Sequence, residues 1–381
     1  MGTATNPDIV LGLEDVYVKE SRICLVDGEK GRLLYVGYDI RDLAEHSSFE
    51  ETSYLLWNQR LPRRDELDTT TRALGEERKV PKGIFDLLKR LPKTAVPIDA
   101  LRTGISALAS FDPELADASR DANHRKGLRL TAKTATLVAA IERIRSRKRP
   151  IQPDPDRSHA EDFLRMLTGK DPDPFIAKVL DVALILHADH SLAASTFAAT
   201  VAASTLADLY ATVVAGLAAF KGPLHGGANE AAVNMLLKIG TPANAEAFVE
   251  KALARGEKVP GFGHRVYKTF DPRALILKDY AKKLSEKNGE TNLFATALAV
   301  EEVMLRELAG KRVYPNVDFW AGVTYYLLHL PPELFTPIFA VARTAGWTAH
   351  VIEYWQSNRI IRPLDLYVGP KEATYVPVGR R

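Results

Sequence analysis

Cysteine is almost absent from this chain. Its 381 residues include a single cysteine, Cys24. One thiol cannot build a disulfide framework, and it cannot supply the paired thiolates of a cysteine metal site. Structural disulfides belong to oxidising compartments, so this composition predicts a protein of the reducing cytoplasm. Residues 1–10 contain neither a basic stretch nor an apolar core, and we therefore expect no secretory signal there.

A large charge imbalance is also missing. The chain has 51 Lys and Arg against 48 Asp and Glu, a formal net charge of +3. This excludes a polyanion binder by bulk charge and predicts no nucleic-acid partner, although a local basic patch stays possible. Residues 191–207 carry no charge, but they are rich in Ala, Ser and Thr. We expect a helix buried among other helices there, not a membrane span.

Helical signals dominate the sequence and predict an all-α fold. Ser48 and Glu51 have the spacing of a capping box. Further helices are predicted over residues 129–144, 174–190 and 191–220. A strand pair is expected within residues 20–38, where Asp27-Gly28 suits a hairpin turn. The basic, proline-bounded stretch 146–155 must be a loop, because its prolines remove helical hydrogen bonds.

Small residues recur early in the third of these helical regions. Small side chains let helices approach closely. They fit core packing within one chain and a subunit interface equally well, and the sequence leaves both open. The residues are Ala193, Ala194, Ala198, Ala199, Ala202 and Ala203.

Three glycine-marked segments hold the polar residues of greatest chemical interest. In the first, residues 221–230, a helix is predicted to begin at Ala228, which places His225 near a helix N-terminus. The positive end of the helix dipole disfavours an imidazolium, so His225 should stay neutral and donate an N–H to a carbonyl oxygen. The alternative is a histidine that only caps a turn.

The second segment, residues 259–268, contains Gly261 and Gly263, which permit close approach of the backbone to a ligand. Arg265 and Lys268 are suited to phosphate contacts. No predicted strand precedes the segment and its pattern is not GxGxxG, so a Rossmann loop is not expected. A glycine-rich surface turn with solvated charges is the alternative.

The third segment, residues 314–320, contains Asp318 between apolar neighbours. Partial desolvation by Val317, Phe319 and Trp320 should raise the pKa of this carboxyl toward the range of a useful base. The alternative is an aspartate that caps a helix after a proline turn.

His187 and His190 are candidate ligands for a metal ion. Their spacing would place both imidazoles on one helix face, where they could ligate zinc. No cysteine, no HExxH motif and no evident third ligand accompanies them. The sequence therefore predicts no metal.

Taken in order, these segments resemble the citrate synthase family, which includes the 2-methylcitrate synthases. The order and spacing of the motifs carry the resemblance, and they span nearly the whole chain. The matching stretches are residues 20–23, 27–31, 35–38, 49–51, 187–196, 222–230, 261–273, 315–318 and 358–363.

The resemblance implies a helical fold of two domains with an active site in the cleft between them. Residues 1–226 and 330–381 would form the large domain, and residues 227–329 an inserted small domain that binds CoA. It also implies a homodimer, no membrane partner, and an acyltransferase that converts acyl groups into alkyl groups on transfer. The substrates would be oxaloacetate and acetyl-CoA, with CoA as the cosubstrate carrier and no permanently bound cofactor.

Roles follow residue by residue from the same resemblance. His225 would stabilise the enol of the acyl-CoA, His264 would polarise the keto carbonyl, and Asp318 would be the base. The residues that would bind the dicarboxylate are His187, His190, Arg273, Arg343 and, from the partner subunit, Arg362. Those that would hold CoA are Val259, Pro260, Gly261, Phe262, Gly263, Arg265, Lys268, Lys311 and Asn316.

The chain departs from the family pattern just after His190. Ser191-Leu192-Ala193 stands where the family usually has Glu-x-Asn. Three functions follow as hypotheses: a citrate synthase, a 2-methylcitrate synthase or dual enzyme that uses propionyl-CoA, and a low-activity regulatory paralogue. One methylene in a pocket changes discrimination by only about 1–3 kcal/mol, so the motifs alone do not separate the first two.

Overall fold

The computed structural model describes residues 9–381 and confirms the all-α prediction. Helices account for most of the described chain, and a small sheet near its start is the main exception. The helices are α1 (Ile40–His46), α2 (Phe49–Asn58), α3 (Arg64–Glu77), α4 (Lys82–Arg90), α5 (Pro97–Leu108), α6 (Arg120–Arg145), α7 (His159–Thr168), α8 (Pro174–His187), α9 (Ala194–Ser204), α10 (Leu209–Phe220), α11 (Ala228–Ile239), α12 (Ala245–Ala254), α13 (Pro272–Asn288), α14 (Thr291–Glu307), α15 (Val317–Leu327) and α16 (Phe335–Tyr354).

The sheet confirms the predicted strand pair and adds a third, very short strand. Strands β1 (Cys24–Asp27), β2 (Arg32–Tyr35) and β3 (Tyr38–Asp39) are antiparallel in the order β1-β2-β3. Its first turn contacts the second glycine segment, where the Lys268 N–H donates to the Gly28 carbonyl oxygen at 3.0 Å. A Cβ on Gly28 would lie 2.1 Å from the carbonyl oxygen of Val266, so glycine permits this contact.

Local capping signals locate several helix ends well. The Ser48 hydroxyl accepts a hydrogen bond from the Glu51 N–H at 3.2 Å, and α2 begins at the next residue. Helix α11 begins at Ala228, as predicted. Helix α6 begins earlier than predicted because Ser119 caps it. The proline-bounded stretch 146–155 lies outside the helices.

Two helix predictions were too long. Helix α8 ends at His187, so residues 188–193 form a loop and His187 and His190 do not share a helix face. Residues 191–220 hold two helices rather than one. Between them Leu206 adopts a left-handed backbone with φ of 63°, and the Asp208 carboxylate caps α10 by accepting the N–H groups of Tyr210 and Ala211.

Helix α16 lies at the centre of the core. All eighteen of its residues from Phe335 to Ile352 are buried, and it packs against α2, α6, α8, α9 and α10. Such all-round burial is typical of a central helix in a large helical protein. No helix within residues 9–381 is both long enough and apolar enough to cross a membrane.

Helices α11 to α15 pack largely among themselves. Helix α15 lies between α11 and α13, and α12 lies against α14. They fall within the predicted small domain, residues 227–329. The domain boundaries themselves stay a prediction.

Gly346 offers a direct test of close packing between α16 and the 188–193 loop. A Cβ there would lie 2.3 Å from the Ala188 carbonyl oxygen and 2.5 Å from Oδ1 of Asp189. We expect Gly346→Ala to lower the free energy of unfolding by about 1–3 kcal/mol, because an added methyl overfills a packed contact. Urea unfolding followed by circular dichroism measures it. Gly379→Ala, which meets nothing within 4 Å, is the control; equal stability of the two variants would contradict the packing argument.

Candidate active site

Three of the histidines and two of the arginines singled out in the sequence come together around the 188–193 loop: His190, His225, His264, Arg273 and Arg343. The pKa of His190 lies well below its ordinary value, first because the ring is buried and then because Arg273, His264, Arg343 and His225 lie close by. The imidazole rings of His190 and His264 are 5.3 Å apart between centroids. Side chains from four separate parts of the sequence therefore share one site.

The loop that carries His190 is fixed by buried hydrogen bonds. The Tyr35 hydroxyl donates to the Asp189 carbonyl oxygen at 2.8 Å and accepts from the Asp189 N–H at 3.1 Å. The Asp189 carboxylate accepts the Ser191 N–H at 3.0 Å and lies 3.1 Å from Nε2 of His350. Nε2 of His190 itself lies 3.2 Å from the Tyr267 hydroxyl. No local sequence signal marks Tyr35 for this role, because it holds the loop only through tertiary contacts.

His225 is held in one tautomer by Ser195. The Ser195 hydroxyl accepts from Nε1–H of Trp347 at 3.1 Å, so its own hydrogen is free to donate to Nε2 of His225 at 2.8 Å. The Ser195 N–H also points to this nitrogen, at 3.3 Å. Nε2 is therefore an acceptor, and the proton of the neutral ring lies on Nδ1.

Hydrogen bonds also fix the tautomer of His264, but they place its proton on Nε2 instead of Nδ1. The N–H groups of Val266 and Tyr267 donate to its Nδ1 at 3.0 and 3.1 Å. A neutral ring in this environment carries its proton on Nε2. Each of the two histidines thus offers one N–H donor.

Both rings are neutral at ordinary pH. Burial lowers the pKa of His225 to about 4, and the Arg343 charge adds to the effect. Burial also lowers the pKa of His264 to about 4, helped by Arg273. The neutral state expected for His225 agrees with the structure, where burial is the larger of these two causes.

Asp318 has the protonation behaviour expected of a base. It lies in the first turn of α15 and is half-buried. Burial raises its pKa to about 7; Arg273 opposes this rise and Asp271 adds to it. Asp318 is not the helix cap, because Asn316 takes that place and accepts the Asp318 N–H at 3.0 Å.

A short clamp joins the second and third glycine segments. Phe262 and Pro315 form an antiparallel bridge, with Gly263 N–H donating to Tyr314 O and Asn316 N–H donating to Gly261 O, both at 2.9 Å. Gly261 has φ of +85°, and a Cβ there would lie 2.7 Å from the Phe319 side chain. Contact with α15 therefore requires glycine at this position, and close approach of a ligand to it stays a prediction.

The two arginines differ in their partners. Arg273 donates to both carboxylate oxygens of Asp271, at 3.0 and 2.7 Å. Arg343 is also buried. Within residues 9–381 it makes no ion pair and donates only to the His187 carbonyl oxygen, at 2.7 Å, while the nearby Asp189 charge raises its pKa against the effect of burial. An unpaired buried guanidinium is costly unless an anion joins it.

His187 is wholly buried beside this arginine pair. Its Nδ1 lies 2.6 Å from the Ala183 carbonyl oxygen, so Nδ1–H donates within α8. Burial lowers its pKa well below the ordinary value, with Arg273 and Arg343 adding to the effect. The described residues contain no group of three His, Cys, Asp or Glu placed to hold a metal ion. The metal-free chemistry stays a prediction.

The residues expected to hold CoA lie partly at the surface. Arg265 pairs with Glu14 at 3.2 Å, and the Asn316 amide donates to Gly263 O at 2.9 Å, so both side chains have protein partners. Lys268 and Lys311 are exposed. A cavity of about 330 Å³ lies beside Val259 and Pro260; Lys238 and Lys258 also line it.

Arg362 is not brought to the site within its own chain. It is exposed and makes no hydrogen bond or ion pair with another described residue. It lies on the C-terminal segment 358–381, which has no long helix or strand. Apolar side chains of this segment are exposed, notably Leu364 at 85%, Val368 at 88% and Val378 at 81%.

Fold and site together define a helical protein in which a carboxyl group of raised pKa, two neutral histidines and two buried arginines lie close together. The citrate synthase family model, described as "Citrate synthase, C-terminal domain", matches residues 12–364. The chain belongs to the citrate synthase family, as the sequence motifs predicted.

Relatives and solved structures agree over nearly the full length. The chain is 42% identical to "Citrate synthase" of Deinococcus radiodurans, covering 98% of this chain and 99% of that protein. It is 41% identical to "Citrate/2-methylcitrate synthase" of Bacillus subtilis, covering 95% and 97%. It is 35% identical to the solved citrate synthase of Thermoplasma acidophilum in ternary complex with carboxymethyl coenzyme A and oxaloacetate. That match has a TM-score of 0.95 and covers 99% of this chain and 100% of the other.

The tautomer of His225 is directly testable. In ¹⁵N spectra of histidine-labelled protein, His225 should carry its proton on Nδ1, because Ser195 donates to Nε2. Ser195→Ala should shift the ring toward the Nε2–H tautomer, since the loss of one hydrogen bond changes the balance by about 0.5–1.5 kcal/mol. Thr200→Val removes another buried hydroxyl of α9 and is the control. His225→Gln assigns the signal, and an unchanged tautomer in Ser195→Ala would exclude the Ser195 hydroxyl as the group that sets the tautomer.

Proposed function

We propose that the protein condenses acetyl-CoA with oxaloacetate and water to give citrate and CoA, as an acyltransferase that converts the acyl group into an alkyl group. The observation that carries the proposal is the buried Arg343, which makes no ion pair within the described chain. It lies close to Arg273 and His190 and to Asp318, whose pKa is raised. Two arginines suit two carboxylates, which guanidinium groups bind by planar, paired contacts.

The first chemical step is removal of an α-proton from the thioester. Asp318 takes this proton, and its pKa of about 7 makes it a stronger base than an ordinary carboxylate. The enol oxygen that develops accepts Nδ1–H of His225, a donor already oriented by Ser195. The proton transfer contributes roughly 10²–10⁴-fold, so positioning and electrostatics must supply the rest.

The second step forms the carbon–carbon bond. The enol carbon attacks the ketone of oxaloacetate, whose oxygen accepts Nε2–H of His264. His190 and the two arginines hold the dicarboxylate, with His187 completing the wall beside them. Water then hydrolyses the citryl thioester and releases CoA. No step draws on a metal or a permanently bound cofactor.

The CoA moiety would lie along the 259–263 loop. Support comes from the cavity of about 330 Å³ beside this loop and from Lys238 and Lys258 at its wall. Lys311, Lys268 and Arg265 would meet the phosphates. The clamp between Phe262 and Pro315 links this loop to Asp318, so the position of the CoA site and that of the base would be coupled.

A homodimer is the assembly we propose. The exposed apolar residues of segment 358–381 support it, because a soluble chain rarely leaves such a stretch uncovered. The small residues of α9 fit either core packing or this interface. Residues 227–329 would move as a small domain against the rest, and a cytoplasmic location stays the expectation.

Use of propionyl-CoA is the second candidate. It is favoured by the 41% identity to a Bacillus subtilis protein named citrate/2-methylcitrate synthase. The low-activity paralogue rests only on Ser191 and Ala193, and the intact His225, His264 and Asp318 argue against it.

Thiol release from acetyl-CoA and from propionyl-CoA, each with oxaloacetate, tests the proposal. We expect release with acetyl-CoA, and Asp318→Asn should lose most of kcat while oxaloacetate still binds, because the base acts in the chemical step. Asp279→Asn, on the exposed side of α13, is a matched control. Preference for propionyl-CoA would favour the second candidate. Absence of release with either thioester would favour the regulatory paralogue.

The pH profile tests the role of Asp318 independently. A base must be ionised, so kcat/KM for acetyl-CoA should fall as pH drops through about 7, by about tenfold for each further unit. His225 and His264, with pKa values of about 4, stay neutral throughout this range. An acid limb centred below pH 5 would contradict the assignment.

Subunit complementation tests whether Arg362 acts across the interface. Arg362→Ala and Asp318→Asn subunits, each inactive as a homodimer, are co-expressed with different tags. If Arg362 acts in trans, one site of each heterodimer carries both lesions and the other is intact. The mixed population should then recover about a quarter of wild-type activity, since half of the dimers are mixed. Activity would stay absent if Arg362 served its own chain.

A further inference from the structure

A second cavity, of about 660 Å³, lies outside the candidate active site. None of the site residues lines it. It opens between α4 with the turn that follows it and the C-terminal end of α6 with the basic loop after it. We call it the basic cavity because six of its lining residues are cations: Lys82, Lys89, Lys93, Arg147, Lys148 and Arg149.

Almost no carboxylate offsets the positive charge of these six side chains. No acidic residue lines the basic cavity. Within residues 9–381 only Lys89 has a carboxylate partner, Asp86, at 3.0 Å. Several like charges around one concave surface repel each other and create a strong positive potential, which an anionic ligand would relieve.

The basic loop is folded into place rather than solvated freely. Arg147 turns the chain out of α6 with a left-handed backbone of φ 57°, and Lys148 N–H donates to the Arg143 carbonyl oxygen at 2.7 Å. Nε of Arg143 then donates to the Arg149 carbonyl oxygen at 2.6 Å. Glycine would adopt this left-handed turn without strain, but the residue at the position is the cationic Arg147.

We propose that the basic cavity binds a nucleotide that carries several phosphate groups. Its volume lies in the range of about 300–1,000 Å³ typical of small-molecule sites, and a single phosphate would fill only a small part of it. Phe85, Ile144 and Pro150 give it an apolar wall suited to a base, while the cations suit the phosphates. A concave site favours a small molecule over a membrane or a long nucleic acid. The site is separate from the catalytic residues, so the proposal is independent of the proposed reaction.

Calorimetric titration tests this proposal. With EDTA present, and with oxaloacetate and CoA filling the candidate active site, ATP should bind at one saturable site per chain. The triple variant Arg147→Gln/Lys148→Gln/Arg149→Gln should bind ATP about tenfold more weakly, the summed loss expected for three partly exposed charge contacts. If CoA fills the basic cavity instead, CoA should bind at two sites per wild-type chain and at one per variant chain, which supports the same ligand class.

Matched controls separate a built site from general charge. Lys170→Gln/Lys251→Gln/Lys282→Gln removes three exposed cations elsewhere and should leave ATP affinity unchanged. Thermal unfolding checks that both triple variants fold. Inorganic tripolyphosphate should bind more weakly than ATP, because it cannot use the apolar wall. The proposal is overturned if no nucleotide binds beyond the catalytic site, if both triple variants lose affinity equally, or if duplex DNA or phosphatidylglycerol vesicles bind more tightly than ATP.

Discussion

One buried carboxylate, that of Asp271, organises the catalytic half of the molecule. It caps α13 by accepting the Arg273 N–H at 3.0 Å, holds the Arg273 guanidinium by two further bonds, and accepts the Val317 N–H at 3.1 Å. The same group therefore fixes Arg273, which we propose binds the substrate, and the start of the helix that carries Asp318. Removing one partner of such a buried pair typically costs about 3–5 kcal/mol, because the other charge is left uncompensated. Substitution of Asp271 would thus disturb binding and catalysis together, and neither effect would identify a direct role.

Burial sets the protonation states of the histidines and of Asp318 in the candidate site. The histidines are neutral because burial disfavours their charged form, and the arginines add to this effect, whereas the same burial raises the pKa of Asp318 to about 7. Arg343 stays charged even though burial lowers its pKa, since a guanidinium does not deprotonate in proteins. One physical cause therefore produces both the neutral histidine donors and the raised pKa of Asp318.

Much of the fold could be predicted from the sequence because local signals determine it. Ser48, Ser119 and Asp208 cap helices through their own side chains, and proline excludes helix from residues 146–155. The loop at 188–193 could not be predicted, because Tyr35 and His350, distant in sequence, hold it in place. The Ser195–His225 contact and the Phe262–Pro315 clamp were missed for the same reason. The predicted role of Arg362 needs a second copy of the chain, so the fold of one chain does not display it.

The two anion sites differ in how they would select a ligand. Arg273 and Arg343, which we propose bind the dicarboxylate, are buried and fixed by carboxylate and carbonyl partners. They would therefore recognise the geometry of two carboxylates, and salt would screen them little. The cations of the basic cavity are exposed, and only Lys89 has a carboxylate partner within the described chain. Their attraction acts over about 10 Å at 0.1 M salt and weakens steeply as salt rises. Selectivity there must come from the apolar wall and the cavity shape, while the charges set the attraction. A preorganised site with buried arginines would therefore suit chemistry on one substrate, and an exposed, charged cavity would suit reversible binding that follows ligand concentration.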